Sequence, residues 1–173
     1  MQKKGTITYK NTGVQKMTPE KFAALLSAQT GIKDVSEADT VKDEETGTSR
    51  TQGFLSIGVL KGIYIYITSP VFNTVSIGVN FQYTLLKKDT KERALNVIND
   101  FNKTKTGLKA TFRKLDKGKL LDVSLRSELI VPLEDSNLER YIGLLLPIIS
   151  ASPMIFSQDL SSKGLNHESI VRK

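Results

Sequence analysis

The chain has 173 residues, 39% hydrophobic and 25% charged, enough for one domain with a sizeable core and of ordinary globular composition rather than disordered. It contains no cysteine, which excludes disulfides, thiolate catalysis and thiolate metal ligands. Its formal charge of +7 is localised: residues 1–50 carry eight Lys/Arg against seven Asp/Glu, 51–133 thirteen against six, and 134–173 four against five, so the excess lies between Lys87 and Arg126.

Residues 1–16 read as a leader, in which Thr6-Ile7-Thr8-Tyr9 is a candidate edge strand. The leader lacks the apolar segment of a secretory signal, so a cytoplasmic location is expected. A single α+β domain is expected over 17–153. Its first helix starts at Thr18-Pro19-Glu20, with Thr18 as N-cap and Pro19 in the first turn, carries Phe22, Leu25 and Leu26 on one face, and ends at Gly31. Residues 34–52 are acidic and then rich in Thr, Ser and Gly, without apolar periodicity, and read as a mobile loop.

Three strands follow. Residues 54–60 alternate with Leu55, Ile57 and Val59 on one side; 63–68 place Ile63, Ile65 and Ile67 toward the core and Tyr64 and Tyr66 away from it; Lys61-Gly62 is the expected hairpin connection. Residues 75–85 give the cleanest alternation, Val75, Ile77, Val79, Phe81, Tyr83 and Leu85 against uncharged polar positions. A second helix opens at Thr90, with Ala94, Val97, Ile98 and Phe101 as its stripe. Strands at 108–115 and 120–126 pair through Asp116-Lys117-Gly118-Lys119. Their parity sets Arg113 opposite Asp122, Thr111 opposite Ser124 and Lys109 opposite Arg126. A last helix starts at Ser136 with the capping box Ser136-x-x-Glu139 and carries a wide apolar band, which Pro147 should kink or end early. Its longest apolar run, 142–149, is too short to cross a bilayer, so no membrane span is expected. Residues 154–173 read as a weakly patterned tail that adds little to the core. The expected fold is therefore a five-stranded antiparallel sheet in the order α-β-β-β-α-β-β-α, with helices mainly on one face.

The residues offer little chemistry. The single histidine, His167, falls in the tail, so a triad is not expected. The carboxylates Asp34, Glu37, Asp39, Asp43, Glu44 and Glu45 lie in the predicted loop and read as solvated rather than as a metal or glycosidase site. Gly58, Gly62 and Gly78 sit in or between strands and form no phosphate loop. No catalytic residue, metal or cofactor is expected.

What remains is surface. The outer sheet face should collect Tyr64, Tyr66, Asn80, Gln82, Thr111, Arg113, Ser124 and Arg126, suited to a protein partner or to stacking single-stranded nucleic acid. Capping of the two tyrosines by neighbouring segments is the plainer alternative. Lys87, Lys88 and Lys109 add a basic surface that steers acidic partners, and Leu144 and Ile148 on the last helix form a candidate dimer face or part of a buried helix. Asn99 and Asn102, one turn apart on either side of Phe101, read as a polar joint between helix and strand.

The stretches Val75-Ser76-Ile77-Gly78-Val79-Asn80 and Asn99-Asp100-Phe101-Asn102, the hairpin over 108–126 and Ser136-Asn137-Leu138 together resemble the YbjN-like family, whose fold is similar to that of type III secretion chaperones. The resemblance covers residues 17–150. It implies a non-catalytic, chaperone- or adaptor-like protein that forms a homodimer and binds a protein partner. The basic balance departs from the acidic one usual in secretion chaperones.

Overall fold

The first turn forms as its sequence dictates. The Thr18 hydroxyl accepts a hydrogen bond from the Lys21 amide, Pro19 needs no donor there, and α1 (Pro19–Ser27) buries Phe22 and Leu26. The computed structural model describes residues 18–36, 39–131 and 137–172. After α1 come β1 (Ile32–Lys33), β2 (Asp39–Asp43), β3 (Thr48–Ile57), β4 (Leu60–Thr68) and β5 (Asn73–Leu85). Then follow α2 (Lys91–Thr104), β6 (Lys109–Asp116), β7 (Leu120–Val131), α3 (Leu138–Ser162) and β8 (His167–Arg172). The expected leader, including Thr6-Ile7-Thr8-Tyr9, lies outside the described residues.

The strands form one antiparallel sheet in the order β1-β3-β4-β5-β7-β6, with β2 also paired to β3 and β8 to β5. The α+β class is as expected, with eight strands among the described residues in place of five. All three helices among the described residues pack on one face. Phe22 of α1 stacks on Tyr66 with centroids 4.6 Å apart, Phe156 of α3 lies 5.4 Å from Tyr83, and Phe101 of α2 meets Phe156 edge-on at 5.1 Å. Val75, Ile77, Val79, Phe81, Tyr83 and Leu85 of β5 are buried beneath them, as their alternation predicts. Thr90 caps α2 by accepting from the Arg93 amide, and Ala94, Val97, Ile98 and Phe101 are its buried stripe.

Several expectations are corrected. Residues 34–52 are not simply a loop, because β2 and the first half of β3 form a hairpin there. Every residue of β2 is exposed, so it is held by backbone pairing and by the Thr40–Thr51 hydroxyl bond, and leaves no apolar period to read. The β3–β4 turn is Gly58-Val59 rather than Lys61-Gly62: Ile57 pairs with Leu60, and Gly58 supplies the positive φ of 58°. The predicted β6–β7 register holds from Lys109–Arg126 to Phe112–Val123. A bulge then inserts Arg113, so Lys114 faces Asp122 instead.

The largest correction concerns the last third. The helix runs unbroken past Pro147 and Pro153 to Ser162, and the supposed tail contributes Phe156, Leu160 and Leu165 to the core and β8 to the sheet. Each proline leaves one carbonyl without its helical donor. At Pro153 that carbonyl belongs to Ile149, and the buried Ser152 hydroxyl donates to it at 2.7 Å. At Pro147 it belongs to Gly143, which is exposed, where water can replace the donor. Ser136 lies outside the described residues, and the helix opens with Asn137 as N-cap and Glu139 in its first turn.

Candidate interaction surface

β4 alternates Ile and Tyr, two apolar sets, and the structure turns the tyrosines inward, opposite to the expectation. The register pairs Tyr64 with Gly53 on one side and Ile77 on the other, and Tyr66 with Thr51 and Val75. The missing side chain at Gly53 makes room for the Tyr64 ring: a Cβ there would lie 2.6 Å from the phenol oxygen. Tyr64 donates to the Ser36 carbonyl at 3.2 Å and Tyr83 to the Pro153 carbonyl at 3.0 Å, whereas the buried Tyr66 hydroxyl has no partner among the described residues. Burial pushes all three phenols upward, Tyr66 to about 12. Tyr64 and Tyr66 are therefore core residues and are withdrawn from the predicted binding face.

With the tyrosines inside, the outer face of β4 presents Ile63, Ile65 and Ile67. Phe54 stands directly opposite Ile63. Val41, Arg50, Ile67, Thr74 and Ile130 form one cross-strand row from β2 to β7. Val41, Phe54 and Ile130 are 69%, 65% and 73% exposed, apolar side chains set around the covered Ile65 and interrupted by Arg50 and Thr74, with Arg126 in the row of Phe54 and Ile63. Toward one end the face is polar. Asn80 is opposite Ser124, Gln82 donates to the buried Asp122 at 2.9 Å, and Arg126 lies 3.6 Å from Glu128. Asn80, Gln82 and Arg126 thus stay on the outer face as predicted, and Arg113 is exposed at the bulge of edge strand β6.

The polar joint is real but narrower than expected. Asn102 donates to the Ala110 carbonyl at 2.9 Å and accepts from the Ala110 amide at 2.7 Å, clamping the end of α2 to β6, with Phe101 buried beside it. Asn99 is exposed and takes no part in that clamp. Lys109 donates to the Asn102 carbonyl at 2.7 Å, which gives it a capping role at the helix end. Lys87 and Lys88 are exposed between β5 and α2.

On α3, Leu144, Ile148 and Met154 face solvent. A groove of about 700 Å³ lies between Gly143, Pro147 and Ser150 of the helix, the Gly58-Val59 turn and residues 29–31. Among the described residues α3 is the one helix long and apolar enough to cross a membrane by length and composition, with 44% of its most apolar window buried inside the protein.

The titratable groups serve the scaffold. Asp43 accepts from the Glu45 and Thr46 amides, and hydrogen bonding, first from the Thr46 side chain, holds its carboxyl below the usual range. His167 Nε2 lies 2.8 Å from the Ser157 hydroxyl and the ring meets Tyr83 edge-on, so the pair ties β8 to α3; the buried Nδ1 has no partner among the described residues. Among the described residues no group of three or more His, Asp or Glu side chains is arranged to hold a metal ion.

The fold and these surfaces define an α+β protein with helices on one side of an antiparallel sheet and an apolar patch on the other. Comparison with protein-family models, with curated proteins and with solved structures gives no match to this chain.

Proposed function

We propose that the protein is a non-catalytic interaction module, adaptor- or chaperone-like as its YbjN-like sequence features imply, that docks a protein partner on the outer sheet face. The observation carrying this reading is the patch formed by Val41, Phe54, Ile63, Ile67 and Ile130. Covering such side chains stabilises a complex by roughly 25 cal/mol per Å² of apolar surface removed from water, and Arg50, Arg126 and Glu128, which stand in the same cross-strand rows, set orientation. The outer stripe of α3, Leu144 and Ile148, serves self-association as a homodimer.

Capture from a cell extract by the wild-type protein and by Phe54→Asp and Ile130→Asp variants tests the partner site. Proteins held by wild type and lost on both variants, yet kept by Lys21→Gln on α1, support it; identical retention by all four overturns it. Sedimentation tests the dimer: wild type should sediment as two chains and Leu144→Asp/Ile148→Asp as one, and a wild-type monomer at high concentration removes the proposal.

A further inference from the structure

The excess positive charge has a definite place in the fold. The β6–β7 hairpin tip docks on the loop between β5 and α2: the Leu85 amide donates to the Lys119 carbonyl and the Asp89 amide to the Gly118 carbonyl, both at 2.8 Å. Lys117 and Gly118 both have positive φ, 49° and 71°, and a Cβ at Gly118 would lie 3.0 Å from the Asp89 carbonyl oxygen, so the contact is close. Two separate segments thereby bring Lys87, Lys88, Lys117 and Lys119 to one end of the sheet, all exposed.

The local acids do not neutralise them. Asp89 is bonded to Arg93 at 2.9 Å, Asp116 lies 3.6 Å from Lys114, and Glu92 makes no ion pair with the cluster. Among the described residues none of the four lysines has a carboxylate within ion-pair distance. The amino end of α2 lies on the same side, its pole already met by Asp89, which accepts from the Thr90 amide at 2.8 Å, and by Glu92 in the first turn. Uncompensated like charges held together raise the potential for an anion, and flexible ammonium groups contact it as point charges, not as planar forks.

We propose that this lysine-bearing end binds the phosphate backbone of nucleic acid without reading bases. The side chains argue for that ligand. Tyr64, Tyr66 and Tyr83 are buried and supply no stacking platform, and none of the four cations is an arginine suited to paired contacts with guanine. An acidic peptide, which gains register by adding to a strand edge, meets β6 with a bulge at Arg113 that breaks the regular ladder it would extend. This site is separate from the apolar patch and does not depend on the function proposed there.

Fluorescence anisotropy with a labelled mixed-sequence single-stranded oligonucleotide, titrated over a range of salt, tests the site. The variant Lys87→Gln/Lys88→Gln/Lys117→Gln/Lys119→Gln is compared with Lys21→Gln/Lys33→Gln/Lys42→Gln/Lys61→Gln, which removes the same charge from exposed lysines elsewhere. Wild type should bind at low salt. The cluster variant should lose at least about tenfold in affinity, with its log–log salt slope reduced by roughly 2–3, while the control variant shifts about threefold or less. Because Lys117 has positive φ, Lys87→Gln/Lys88→Gln alone is measured as well and should give an intermediate loss. Equal loss in cluster and control variants, no binding at low salt, or equal cluster-dependent binding of polyglutamate or of anionic vesicles overturns the assignment.

Discussion

Tyr64 lies across Gly53, its directly opposite neighbour on β3, and this one pairing decides which face of β4 is core. A methyl group at position 53 would lie 2.6 Å from the phenol oxygen and 2.7 Å from two ring carbons. Gly53→Ala should therefore destabilise the protein by about 1–3 kcal/mol in urea unfolding, the range for overpacking a filled site. The double variant Gly53→Ala/Tyr64→Leu should recover part of the loss left by the two single changes added together. Simple additivity would show that the close approach has no energetic weight.

Two of the inward tyrosines, Tyr66 and Tyr83, respond differently to loss of the hydroxyl. Tyr66→Phe removes a buried group that has no partner among the described residues and should leave stability unchanged or higher. Tyr83→Phe breaks the bond to the Pro153 carbonyl and should cost about 1 kcal/mol.

Alkaline stability follows from the same burial. The folded phenol of Tyr66 titrates at about 12 against an ordinary value of 10.0, so the folded state holds its proton more tightly than the unfolded chain. Its contribution is complete below pH 10 and is lost as pH rises toward 12. Tyr66→Phe should therefore unfold at higher pH than wild type when circular dichroism is followed through the alkaline range, and coincident curves would refute the linkage.

The clamp between α2 and β6 has an internal control. Asn102→Ala leaves the Ala110 amide and carbonyl without their side-chain partner and should cost about 2 kcal/mol, while Asn99→Ala, one turn away and exposed, should stay within about 0.5 kcal/mol. Equal effects in thermal unfolding would return the joint to both asparagines.

Pro153 is tolerated because Ser152 serves the carbonyl that it leaves bare. Ser152→Ala should destabilise by about 1–3 kcal/mol. Combined with Pro153→Ala, which restores the helical donor, the loss should be smaller than in Ser152→Ala alone.

The central strand, both shorter helices and the first part of the β6–β7 register were legible because each carries one clear apolar period or a recognisable cap. β4 was not, since Ile and Tyr give an apolar stripe on either face and parity cannot rank them. A glycine held the missing signal: Gly53 shares the inner face with the tyrosines and leaves space for the Tyr64 ring. β2 was hidden because its pairing rests on the backbone, and Arg113 because a bulge leaves no mark in a composition of alternating side chains. The extent of α3 was missed because a proline read alone signals termination, whereas its effect depends on whether another donor reaches the freed carbonyl. The candidate surfaces inherited these errors: the apolar patch appeared only once the tyrosines moved inside, and the lysine cluster only once two distant loops met.

β4 and β8 share one edge of β5, β4 taking residues 73–79 and β8 taking 81–85. During synthesis these partners arrive at very different times. β4 is present before β5 emerges, whereas β8 follows only after two helices and two further strands. Until then the stretch from Phe81 to Leu85 keeps one edge unpaired, even after β7 has taken the other, and that edge is open to strand exchange with a neighbouring nascent chain. The hazard is greatest for shortened translation products ending before His167, which carry the whole helical layer and still leave that edge bare.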